Sequence, residues 1–109
     1  MKAKRTIVIA RKQDPRILEI FTHFGLKAQV KKTLEELWEL AWAIIVWRVM
    51  TMIGKNTDKH LAHVHEEMSD VRIMIDQLEV GTFGRNRCEQ IRSEKLERTI
   101  KRIQFKEQK

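Results

Sequence analysis

The chain has 109 residues, 42% hydrophobic and 34% charged, with a formal net charge of +7. That length sets a single domain, residues 1–109, with a small core, and one Pro with four Gly favours helices joined by short turns. The one cysteine, Cys88, excludes an internal disulfide, fits a reducing cytoplasm and reads as a lone buried thiol.

Residues 1–13 read as an N-terminal arm, flexible or docked, with TIVIA (Thr6 to Ala10) open to a short strand. The start MKAKR is basic, but Ile7 to Ala10 is too short for the apolar core of a signal peptide. Asp14-Pro15 predicts the start of a first helix, with Asp as N-cap and Pro at N1. It runs to about Phe24, stops at Gly25, and has Ile17, Leu18, Phe21 and Phe24 as its stripe. A second helix follows from about Lys27 to Ile53, with Gly54 at the C′ position. From Leu37 onward it is apolar on nearly every side. Glu39, Arg48 and Thr51 break what would need to be about 20 apolar residues to span a membrane, so a buried helix is expected. A helix apolar all round must be covered all round, and so short a chain has few helices to do it.

The turn GKNTD, Gly54 to Asp58, leads to a third helix from about Lys59 to Val80. Leu61, Val64, Met68, Val71, Ile75 and Leu78 recur at spacings of three and four and form its expected seam. GTFG, Gly81 to Gly84, breaks the chain. Asn86, with Glu89 three residues on, is the expected cap of a fourth helix from about Arg87 to Phe105. Its apolar stripe is thin (Ile91, Leu96, Ile100, Ile103) and the rest is basic. The fold class is therefore all-α: an antiparallel bundle of about four helices, its core completed by dimerisation.

Charge is unevenly spread. Residues 1–32 carry +7, residues 33–79 carry −5 and residues 80–109 carry +5. The acidic centre contains EELWE, Glu35 to Glu39, and EEMSD, Glu66 to Asp70. At 100° per residue, Glu35 and Glu39 lie about 40° apart, and Glu36 lies about 60° from Glu39. Glu67 and Asp70 are also about 60° apart, with Glu67 on the apolar face and Glu66 turned away from it. Two antiparallel helices would aim four or five carboxylates at one point. An oxygen-only cluster suits a hard cation, above all Mg²⁺. The competing reading pairs these acids with Arg48, Arg72 or the basic ends in plain salt bridges, and geometry alone leaves the two level.

The pattern EExxE, then 27 residues from Leu40 to Glu66, then ExxD resembles the MazG-like nucleotide pyrophosphohydrolases, the all-α NTP pyrophosphatase superfamily. QVKKTLEELWELAWAI and HEEMSDVRIMIDQLE are similar to the two central helices of its short phage- and Firmicute-type members, and KLERTIKRI to the C-terminal helix. The resemblance covers roughly Ile17 to Ile103. It implies a Mg²⁺-dependent enzyme, with Mn²⁺ as a substitute, that cleaves a nucleoside triphosphate between the α- and β-phosphates to the monophosphate and pyrophosphate. It implies metal ligands at Glu36, Glu39, Glu67 and Asp70, with Glu35 and Glu36 as catalytic candidates and Glu35 the better placed to activate water. Phosphate contacts fall on Lys95 and Arg98, with Lys32, Lys31 and Arg102 weaker. The expected assembly is a homodimer, with pairing into a tetramer open and no membrane partner.

The motif helix departs from the family's small residues by carrying Trp38, Trp42 and Trp47. Core packing accounts for at least two, and Trp38 is the candidate to stack on a base. His60, His63 and His65 near the acids read as exposed histidines in preference to a Zn²⁺ site. The alternatives from other classes are a basic helical nucleic-acid-binding or regulatory protein and a catalytically silent helical scaffold.

Overall fold

A computed structural model describes residues 13–107. They form four helices: α1 (Pro15–Phe24), α2 (Leu26–Met52), α3 (Asp58–Gly81) and α4 (Arg85–Glu107), with no strand among the described residues. The all-α expectation holds. The proposed arm, residues 1–13, lies outside the described residues except for Gln13.

Asp14 caps α1 as expected: its side chain accepts from the backbone N–H of Arg16 at 3.0 Å. Gly25 alone separates α1 from α2 and takes φ 86°, ψ 165°, a conformation that side-chain-bearing residues avoid. α2 ends as predicted. Gly54 turns left-handed at φ 74°, its N–H reaches the Thr51 carbonyl, and the Lys55 N–H reaches back to Met50. These two bonds are a Schellman closure. α3 ends the same way, with Phe83 in the left-handed position at φ 56° and Gly84 N–H bonded to Glu79. α4 begins two residues earlier than predicted. Asn86 therefore stands inside its first turn and is no cap.

α2 and α3 form an antiparallel pair, with Gln29 opposite Gln77 and Glu36 opposite Glu67. α1 packs on α3 and more lightly on α2. Gly81 makes this possible, since a Cβ there would fall inside the Phe21 ring. α4 touches α3 and neither other helix. No residue of α4 is buried. The four side chains of its apolar stripe, Ile91, Leu96, Ile100 and Ile103, are too narrow a band to close a four-helix core within one chain.

The inside of the α2–α3 pair is unusually polar. Gln29, Thr33 and Glu36 of α2 and Glu67 and Gln77 of α3 are buried beside Ala43, Val64, Val71 and Met74. The α3 seam is thus turned from the predicted one. Val64 and Val71 face α2, while Met68 and Ile75, each 46% exposed, point outward. On α1, Ile17 is buried, but Leu18 and Phe24 are exposed. Cys88 is exposed, not buried, because α4 has nothing to pack over it. No helix among the described residues is long and apolar enough to cross a membrane.

Candidate metal centre

The heptad-like spacing of Gln29, Thr33, Glu36, Ala43 on α2 puts a polar row against α3. At its N-terminal end the row is satisfied. Gln29 donates through Nε2 to Gln77 Oε1 at 2.6 Å, and the Thr33 hydroxyl donates to the Gln29 carbonyl at 2.7 Å. Gln77 is only 1% exposed. This amide pair fixes the register of the two helices about two turns from the acids.

Further along, the same interface brings three carboxylates together. Glu36, Glu67 and Asp70 each offer an oxygen, and these oxygens lie within 4.8 Å of one another. Glu36 and Glu67 are 6% and 8% exposed; Asp70 is at the rim. Lys32 Nζ reaches in from solvent to Glu36 Oε1 at 3.0 Å. His63 Nε2 lies 3.7 Å from Glu67 Oε1, and its Nδ1 lies 3.8 Å from Glu66 Oε2. Glu36 Oε2 and Glu67 Oε2 are buried with no hydrogen-bond partner. Desolvation pushes the Glu67 carboxyl above its usual range, and the negative charges of Glu39, Asp70 and Glu36 push it further. The hydrogen bond to Glu36 and the surrounding acids hold the Lys32 ammonium above its own.

Two orphaned carboxylate oxygens and a third carboxylate, all hard oxygen donors, fit a divalent cation such as Mg²⁺. Lys32 supplies one positive charge to Glu36 and leaves its other oxygen unsatisfied. A buried carboxylate without hydrogen-bond partners is costly, which is the physical case for a ligand here.

The predicted residues separate into three groups. Glu36, Glu67 and Asp70 meet. Glu39 and Glu35 are exposed on α2 beside the site; Glu39 is not one of the three, though its charge is felt at Glu67. Glu39 and Asp70 are both exposed, and Glu36 holds the inward position on α2. Trp38 is 68% exposed on α2. Lys95 and Arg98 lie on α4, which makes no packing contact with α2.

Sequence reasoning missed the buried Gln29–Gln77 pair and the Lys32–Glu36 bridge, and it set His63 near the acids without pairing it with Glu67. A signal existed. Following the spacing from Gln29 through Thr33 to Glu36 and Ala43 marks one face, whereas the apolar residues of α2 suggest every face at once. The chain matches no family model, no curated protein and no solved structure.

Proposed function

We propose that the protein is a Mg²⁺-dependent nucleotide pyrophosphohydrolase, cleaving nucleoside triphosphates between the α- and β-phosphates to the monophosphate and pyrophosphate. The observation that supports this reading is the pair Glu36 and Glu67: both more than nine-tenths buried, each with an unpartnered oxygen, and both within reach of Asp70. Glu36, Glu67 and Asp70 would hold the ion, with Glu39 extending the same acidic edge and Mn²⁺ as a substitute. When bound, Mg²⁺ neutralises phosphate oxygens and acidifies a coordinated water. Glu35, exposed and outside the three-carboxylate set, orients the attacking water and takes its proton. Lys32, bridged to Glu36, is a cation at the site for the phosphates. Trp38, with much of its ring open to solvent, offers a face for the base.

The test is release of pyrophosphate from a panel of NTPs and dNTPs with Mg²⁺ or Mn²⁺, with Glu67→Gln as the control. Turnover by the natural chain and its loss in the variant are expected. No pyrophosphate from any nucleotide, together with no rise in melting temperature on adding either metal, sinks the proposal. One feature favours a second reading, nucleic-acid binding: α4 carries eight Lys/Arg against four Glu and buries none of its residues. Binding to DNA or RNA that weakens steeply with salt is its signature.

A further inference from the structure

The α4 helix has the make-up of an interface, yet it packs only lightly on α3 of its own chain and buries none of its residues. Its 23 residues extend about 34 Å at 1.5 Å per residue. Leu96, Ile100 and Ile103, at i, i+4 and i+7, fall within about 60° of one another. They are 53%, 54% and 47% exposed. Arg92, Lys95, Arg98 and Arg102 fill the adjoining sector. The helix is therefore an apolar strip with a cationic border.

A matching surface lies on α2. On the side turned away from α3, Leu34, Trp38, Ile45, Val49 and Met52 recur at spacings of three, four and seven, between 47% and 73% exposed. Glu35 and Glu39 border this strip, and both are exposed. The α4 segment carries a net +4, and residues 33–79 carry −5. Yet α4 does not touch α2 of its own chain. The chain exposes 9531 Å², whereas a compact monomer of its mass exposes about 6,300 Å². The difference exceeds the roughly 800 Å² per partner that a standard stable interface covers.

We propose that α4 is an exchanged helix: in a homodimer each subunit's α4 lies along the partner subunit's α2, its apolar strip on Trp42, Ile45 and Val49 and its cationic border against Glu35 and Glu39. Pairing of α2 with α2 alone would leave the α4 strip in water and its cations unmatched. The interface stands without the catalytic reading. If that reading also holds, Lys95 and Arg98 come to the carboxylates from the other subunit, and the site is complete only in the dimer.

Two measurements on purified protein test this, neither involving turnover. In the first, ¹⁴N- and ¹⁵N-labelled chains are unfolded together, refolded and treated with a carbodiimide, which joins a lysine amine directly to a carboxylate. Mixed-isotope links from Lys95 to Glu35 or Glu39 are expected. A monomeric mass, or a dimer with only single-isotope links at these positions, overturns the proposal. The second uses charge reversal. Lys95→Glu with Arg98→Glu, and separately Glu35→Lys with Glu39→Lys, should each raise the dimer Kd at least tenfold. An equal mixture of the two variants should restore association, because both interfaces of the mixed dimer are then attractive. Variants that dimerise like the natural chain, or a mixture that regains nothing, overturn it. So does protection of the α4 lysines from acetylation that appears only when DNA or RNA is added.

Discussion

Glu67 carries the charge that the fold accommodates least well. It is buried beside Glu36, within range of Asp70 and Glu39, and the proximity of His63 offsets this only in part. Its carboxyl is raised above the ordinary 4.5. Between 4.5 and that raised value the folded chain holds a proton that the unfolded chain has released, so stability falls as pH rises through this window. The metal-free protein should therefore melt highest at the acid end of the window and lower towards neutrality. Glu67→Gln should flatten this slope, raise the metal-free melting temperature at pH 7 and abolish any gain from Mg²⁺. Thermal scans from pH 5 to 8, with chelator and with Mg²⁺, check all three. A plain salt-bridge network predicts the reverse sign, with the variant melting lower at every pH. Asp14 does not confuse the measurement: its hydrogen bond to the Arg16 side chain lowers it to about 2, so its contribution is lost only as pH falls well below this window.

At the scale of elements, the two long helices of the bundle core end in the same closure with different residues at its left-handed position. Gly54 adopts φ 74° without a Cβ penalty, whereas Phe83 adopts φ 56° and is 96% exposed. A non-glycine residue there costs about 1–2 kcal/mol. Phe83→Gly is expected to gain roughly 1 kcal/mol in denaturant unfolding, and Gly54→Ala to lose a similar amount. Gly81→Ala should cost more than either, because its methyl would displace the Phe21 ring and loosen α1 from α3. These ends were legible: Asp14-Pro15, Gly25, Gly54 and GTFG punctuate the sequence by backbone chemistry that acts locally. The inward face of α2 was less so. Its buried residues Gln29, Thr33 and Glu36 are polar, and polarity ordinarily marks the outside. The same inversion sent the α3 seam to Met68 and Ile75, which are exposed. Of the site, the acidic pattern located Glu67 and Asp70 and their partner helix. It could not choose Glu36 over Glu39 for the inward position, because that depends on the crossing of α2 and α3.

For the whole molecule, the distribution of apolar surface is one that the proposed dimer would cover. A compact domain of this length has a radius of gyration of about 13 Å, and this chain has 18.2 Å. Its buried hydrophobic residues are few, among them Ile17, Ala43, Val64, Val71 and Met74, while Trp38, Trp42, Ile45 and Val49 stand in water on α2. In the proposed dimer such a bundle would gain its apolar burial on association, and folding and assembly would share one equilibrium. Two consequences separate this from a stable monomer. The melting temperature of the natural chain should rise with protein concentration between about 1 and 100 μM, as mass action requires for a coupled transition. Ile45→Glu, at a position 47% exposed in the single chain, should unfold the protein instead of yielding folded monomers. An exposed substitution on a self-sufficient monomer would change stability by no more than about 0.5 kcal/mol. Circular dichroism and sedimentation of Ile45→Glu decide between them: loss of helix with loss of the dimer supports the shared core. A fully helical 13.0 kDa species, with a melting temperature independent of concentration, would show that α2 and α3 hold together alone.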